Sequence, residues 1–328
     1  MSKNNKEASL KYYYGIPHAH TAFSTGRGTP LEAYEYSKKK NLNFLAITDH
    51  NSYIAKNFYI DGKKVSKWTT TKYMCDKFKK KNDNFIPLIG FETKTNPYGD
   101  FNIINSSTFF TGTLTNTKPL ILWMLNNPNA IIILNHPHKE ILYLEYDEIL
   151  NKVITSIEVG NGSFPNRYTR HDRYYYSMLD KGWKLGAVNG QDNHKINFGD
   201  SDNLTAIIAP SLNANNIIDA FRRRRTYSTE SRSLKLNFKI NNTYMGAILP
   251  HNSKKLDFLV IADDPNTNIN EIQIITNKGN IINKISDLHL NHIKYLYSHE
   301  RQENETWYVI KILQDNHRIA ISSPIFIE

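Results

Sequence analysis

Up to about residue 230 the chain alternates short apolar runs with amphipathic stretches. The runs are NFLAIT (43–48), NFIPLIG (84–90), NAIIILN (129–135), VITSIEV (153–159), KLGAVNG (184–190) and LTAIIA (204–209). Each has the length of a strand and lacks polar alternation, the mark of a strand covered on both faces. Between them lie segments with helix start and stop signals. Thr29-Pro30-Leu31-Glu32 is a capping box with proline at the first helical position, and it opens PLEAYEYSKKKN. TRHDRYYYSMLDKG ends at Gly182, suited to the left-handed residue that follows a helix, and NANNIIDAFRRRR reads as another helix. Strands alternating with helices predict an α/β architecture with a parallel sheet or barrel over residues 1–230.

After RTYSTES the period changes. Leu234, Leu236, Phe238 and Ile240 fall two apart, as on a half-buried strand. KLDFLVIA, NEIQIITNKGNIINKI and TWYVIKILQDNHRIAISSPIFIE follow, joined by Gly-, Asn- and Asp-containing turns. They predict a small antiparallel β-sandwich over residues 231–328. Trp307 and Tyr308 open one of these strands and read as core. No internal repeat or low-complexity segment interrupts the chain.

Composition removes several classes of function. No apolar run in the 328 residues approaches the roughly 20 needed to span a bilayer, so no membrane role is expected. The start, MSKNNKEASLKYYYGIP, is charged but has no apolar leader, which predicts a cytoplasmic location. Cys75 is the single cysteine, which excludes an internal disulfide, a cysteine zinc site and a CxxC redox pair. The net charge of +10 allows a polyanionic partner such as nucleic acid. Lys and Asn are, however, spread along the whole chain. The one dense cluster, RRRR at 222–225, ends a helix, where cations suit the dipole.

Candidate chemistry gathers at the ends of the apolar runs. His18 and His20 form PHAHT, and residues two apart on an extended segment point the same way. Asp49-His50 follow FLAIT, Glu92 follows PLIGF, and His136 follows IIILN. Glu158 sits late in ITSIEV, and Asp192 and His194 follow GAVNG. An HxH or a DH pair alone is commonplace. Together, five of the seven histidines before residue 231 lie at strand ends beside carboxylates. In an α/β barrel those ends form one rim, where sites are built. His138 and His171 read as surface or supporting residues. His251, His289, His292, His299 and His317 have no partners at ligand spacing.

At PHAHTAFSTGRGTP, AITDHN, GFET, LNHPH and GQDNH, in that order, the chain resembles the polymerase and histidinol phosphatase (PHP) family of metal-dependent phosphoesterases. IEVGNG, the helix before RTYST and the terminal SSPIFIE look most like its carbaryl-hydrolase-like branch. The resemblance implies a distorted (β/α)7 barrel, followed here by the sandwich, with two or three divalent metals. It implies His18, His20 and Asp192 on a first metal, Glu92 bridging to a second held by His136, and His50 and His194 on a third. Asp49 is expected either to ligate or to orient a neighbouring imidazole. Two positions depart from the family pattern: Gly26 and Asp100 stand where relatives carry histidines. Asp100 could supply an oxygen ligand instead, and Glu158 is a further candidate.

Mixed imidazole and carboxylate ligation suits Zn, Mn or Fe. The implied chemistry is attack of a metal-bridging hydroxide on a phosphate mono- or diester, with Asp192 taking the water's proton. His194 or His50 would protonate the leaving oxygen. Arg27 is a candidate clamp for phosphate oxygens, as are Arg167, Arg170 and Arg225. The expected partner is a small phosphorylated or ester substrate, and nothing indicates an oligomeric state. Three further readings share the pattern: a carboxylic or carbamic ester hydrolase on the same site, a non-catalytic binding module, and a nuclease.

Overall fold

The apolar runs become strands because each can bury both faces while its backbone pairs on both sides. A computed structural model describes residues 10–163 and 167–328; the first nine residues, where the leader-free start was read, lie outside them, as do 164–166 of GNGSFPN. Nine strands and four of the helices carry the argument: β1 (Lys11–Ile16), α1 (Pro30–Lys39), β2 (Phe44–Ile47), α2 (Lys67–Lys79), β3 (Ile86–Thr95), β4 (Gly99–Ile104), β5 (Ile131–Leu134), β6 (Ile154–Asn161), α3 (Asp172–Asp180), β7 (Gly186–Gly190), β8 (Leu204–Ala209), α4 (Ala214–Arg222) and β9 (Thr226–Thr229). The Thr29 capping box forms as predicted, with its hydroxyl accepting from the Glu32 N–H and the Glu32 carboxylate accepting from the Thr29 N–H. Among the described residues no helix is long and apolar enough to cross a membrane.

The sheet order is β7-β6-β5-β4-β3-β2-β1-β8-β9. It is mixed, not parallel throughout. β1, β2 and β3 run parallel, and so do β5, β6 and β7, but β4 is antiparallel to both its neighbours. The cause is legible locally: Asn96-Pro97-Tyr98 joins β3 to β4, and so short a link permits a hairpin but no crossover. β8 returns antiparallel to β1. The sheet curls until β7 lies against β8 and β9. That seam is made by side chains rather than a ladder: Thr205 Oγ1 accepts from the Asn189 N–H and donates to the Asn189 carbonyl, and Thr226 Oγ1 donates to the Ala187 carbonyl.

The C-terminal strands are β10 (Lys235–Ile240), β11 (Lys255–Asp263), β12 (Ile269–Thr276), β13 (Asn280–Ile285), β14 (His292–Glu300), β15 (Trp307–Gln314) and β16 (Ile319–Ser322). β16 pairs with β9, so the large sheet continues past residue 231 through β16, β15, β12 and β13. β10, β11 and β14 belong to a second sheet. Its buried positions, Leu236, Phe238, Ile240, Phe258 and Val260, share one apolar cluster with Ile272, Ile274, Ile310 and Ile312. Trp307 is core, with its indole N–H donating to Asp180.

Cys75 lies on the buried face of α2, where its thiol donates to the Pro87 carbonyl. Burial pushes that thiol up to about 11, so almost none is thiolate at neutral pH. Native protein at pH 8 is expected to resist alkylation by iodoacetamide and to react fully in urea. Mass spectrometry of the alkylated protein checks this, and rapid native labelling would contradict it.

Candidate metal centre

Six segments bring their ends to one rim. His18 and His20 follow β1, and His50 follows β2. Glu92 lies within β3, on the part that runs past the end of β2, and it bridges to His50. Asp100 comes from the start of antiparallel β4, His136 follows β5, and Asp192 and His194 follow β7. Potential ligand atoms lie within 4.8 Å of one another in four overlapping groups: His18, His20 and Glu92; His18, His136 and Asp192; Glu92, Asp100 and His136; and His20, His50 and His194. His136 and Asp192 both have positive φ, 22° and 46°. Backbone of that kind costs about 1–3 kcal/mol and persists where its surroundings hold it. For His136 the holder is Glu158, whose Oε2 accepts from the His136 N–H at 2.6 Å.

Hydrogen bonds on the outer ring nitrogens decide what faces inward. His18 Nδ1 lies 2.8 Å from Glu158 Oε1, which turns Nε2 inward toward the other candidate ligands. That nitrogen lies 3.2 Å from His20 Nε2 and 3.4 Å from both Glu92 Oε1 and Asp192 Oδ1. His194 Nδ1 donates to the Asp192 carbonyl at 2.8 Å, leaving its Nε2 free. His50 Nδ1 is 2.8 Å from Glu92 Oε2, and His136 Nε2 is 3.4 Å from Glu92 Oε1. Buried lone pairs and carboxylates facing one another repel unless positive charge lies between them. The donor set therefore fits divalent cations, and its nitrogen content favours Zn, Mn or Fe.

The ionisable groups report the same demand. Burial opposes charge on His18, yet Glu158, Asp192 and Glu92 hold it well above the ordinary imidazole value. Burial also works against His20, but Asp192 and Glu92 push it up to about 9. Asp192, despite burial, is drawn down to about 2 by His18 and His20, and Glu92 is held well below its usual range by His18 and His136. Asp100 is raised by burial and by Glu92. His194 is lowered by burial and by the neighbouring His20.

The other expected site residues are placed as follows. Asp49 is not brought into the cluster as a ligand. Its oxygens accept from the Thr21 N–H, the Thr21 hydroxyl and the Ser24 hydroxyl, and Ser24 Oγ in turn lies 3.3 Å from His20 Nδ1. Glu158 is engaged in a similar way, with its two oxygens on His18, the His136 N–H and Asn161. Arg27 is exposed and lines neither cleft beside the centre. Arg225 precedes β9 at the opposite end of the sheet. Arg170 lines a cleft, but its guanidinium is neutralised by Asp172 at 2.9 Å and Glu230 at 2.6 Å. Gly26 passes so close to the His20 carbonyl that a side chain there would collide with backbone, which excludes a histidine in this loop conformation.

Sequence reasoning missed Lys94 and Asn135. Asn135 Nδ2 donates to Glu92 Oε1 at 2.8 Å. Lys94, two beyond Glu92 on β3 and opposite Asp100 on β4, lines a cleft of about 270 Å³ with Thr25, His50, Tyr53 and Thr113. The two-residue strand repeat from Glu92 was the available signal. A second cleft, of about 460 Å³, opens on the His136 side.

Comparison with known proteins follows from this geometry. The PHP domain family matches residues 17–202. No curated protein matches the chain. A two-domain protein from Bacteroides vulgatus containing a predicted PHP-like metal-dependent phosphoesterase is similar at 14% identity and TM-score 0.56, covering 93% of this chain and 90% of its own; the likeness is one of fold. A protein from Bifidobacterium adolescentis, assigned as a metal-dependent phosphoesterase, is 13% identical at TM-score 0.38, over 57% of this chain and 90% of that one. An amidohydrolase from Chromobacterium violaceum with bound sulfate and no metal is 10% identical at TM-score 0.35, over 54% and 86%.

Proposed function

The chain belongs to the PHP domain family, and from that premise we propose that it is a metal-dependent hydrolase acting on phosphate esters. The observation that carries the reading is the inward convergence of imidazole nitrogens and carboxylate oxygens from His18, His20, Glu92, His136 and Asp192. In this reading Asp100 completes the group on the His136 side, and His50 and His194 complete the group around His20. In the curled sheet, β1–β7 are read as the seven strands of a distorted barrel closed by β8 and β9, with residues 231–328 as a β-sandwich packed on it.

Bound divalent ions supply Lewis acidity and an acidified water. The protein's own part is to direct protons and orient the ester. Asp192, a carboxylate at neutral pH and partly open to solvent, takes the proton of the attacking water. His194 and His50, both partly open to solvent, are the imidazoles read as protonating the leaving oxygen. Lys94 places a mobile positive charge at the mouth of the smaller cleft, suited to a non-bridging phosphate oxygen. Asp49 and Glu158 position His20 and His18 without touching substrate.

The test is a panel of aryl phosphate monoester, aryl phosphate diester, aryl acetate and aryl carbamate. Protein stripped with a chelator is reloaded with Zn, Mn or Fe. Turnover of a phosphate ester is expected only after reloading, with metal quantified by elemental analysis. Hydrolysis of acetate or carbamate alone would replace this reading with the ester-hydrolase one favoured by the branch resemblance. Metal binding without any turnover would favour a binding module.

A further inference from the structure

The 460 Å³ cleft on the His136 side is lined by His136, His138, Asn161, Arg167, Thr169, Arg170, His171, Arg173 and Tyr174. Three arginines and three histidines face it, and no carboxylate is among the described residues that line it. The nearby acids are committed elsewhere. Asp172 is held by Arg170 and Lys311, Glu230 by Arg170 and Tyr168, and Glu158 by His18 and Asn161. Arg167 and Arg173 are exposed, and the Arg173 guanidinium is set 4.5 Å over the Tyr174 ring with a 2.6 Å hydrogen bond to its hydroxyl. The first turn of α3 enters the same cleft at Arg173 and Tyr174, and its N-cap residue His171 makes no side-chain cap. The Tyr174 N–H already donates to the His171 carbonyl and Asp172 sits in the same turn, so the groups that favour an anion are the arginine forks. His136 belongs to the metal centre as well, so the cleft begins where that centre ends.

Resting on the phosphoesterase reading, we infer that this cleft receives a second anionic group of the substrate, a phosphate or a carboxylate, held by Arg167 and Arg173. The enzyme then selects phosphoesters that carry two separated negative groups. Binding energy gained at the second group, remote from the reacting phosphorus, is available to orient the ester.

Two measurements test this. Metal-free protein is titrated calorimetrically with inorganic phosphate. The Arg167→Gln/Arg173→Gln double variant is expected to bind at least about tenfold more weakly, and the Arg167→Lys/Arg173→Lys variant to recover part of the loss. Equal affinity in wild type and Gln variant overturns the inference. With metal loaded, kcat/KM is compared for fructose 1,6-bisphosphate against fructose 6-phosphate, and for 3-phosphoglycerate against glycerol 3-phosphate. The doubly anionic member is expected to be favoured in at least one pair, and the ratio to fall about tenfold or more in the Gln variant. Which pair responds tells phosphate from carboxylate. Ratios unchanged by the substitution overturn the inference. Should none of the four esters be hydrolysed, the phosphoesterase reading fails on its own, and the phosphate titration still decides whether the arginine cleft binds anions.

Discussion

Asp192→Asn is expected to lower metal-dependent phosphoester turnover by about 10²–10⁴-fold, the range lost when a positioned proton acceptor is removed. Asparagine keeps an oxygen where Asp192 Oδ1 now faces His18 Nε2 and His20 Nε2 at 3.4 and 3.1 Å, so much of the coordination shape survives. What it loses is the carboxylate charge, and with it the oxygen able to take the attacking water's proton as the new bond forms. Elemental analysis separates two causes of inactivity. A variant that retains metal yet turns over slowly places Asp192 in proton transfer, whereas loss of metal would make it chiefly a ligand. Turnover within about threefold of wild type would remove it from the chemistry altogether.

Glu158→Ala should be the most damaging substitution outside the ligands. The carboxylate is fully buried and fixes three things: the His18 tautomer, the positive-φ turn at His136, and the Asn161 amide. Removing it leaves His18 Nδ1 and the His136 N–H without acceptors. Breaking a buried charged pair from one side costs about 3–5 kcal/mol. Loss of a partner that orients a metal ligand typically weakens metal affinity about 10–100-fold. Urea unfolding and competition with a chromogenic chelator measure the two effects. Glu158→Gln keeps one acceptor oxygen and should fall between wild type and the alanine variant. Gly190→Ala offers an independent test, because an added Cβ there would run into the Glu158 carboxylate while every ligand remains. It should reproduce the affinity loss of Glu158→Ala. Wild-type metal binding in both variants would show that His18 needs no such partner.

The placements of Asp49, Glu158 and Asp100 share a physical cause. Asp49 and Glu158 have the residue type and strand-end position of ligands, and the direction of their oxygens ties them to backbone, hydroxyl and imidazole partners instead. A carboxylate can accept from backbone N–H groups, from hydroxyls or from an imidazole, and which it chooses depends on neighbours far away in the chain. Thr21 and Ser24 capture Asp49 across 28 and 25 positions, and His18 captures Glu158 across 140. Asp100 shows the converse. It reaches Glu92 and His136 because β4 runs antiparallel and starts at the rim, a consequence of the short link after β3.

Local pattern alone determined the positions of β2, β3 and β5–β8, the capping of α1, the change of period after residue 230 and the residue types able to bind metal. Each depends on the spacing of apolar side chains or on groups within a turn of one another. Tertiary structure alone decided the antiparallel β4, the side-chain seam between β7 and β8, the outward commitment of Asp49 and Glu158, and the acid-free cleft beside His136. Those features arise from hydrogen bonds and charge balance between segments up to 140 positions apart, which no local window of sequence contains.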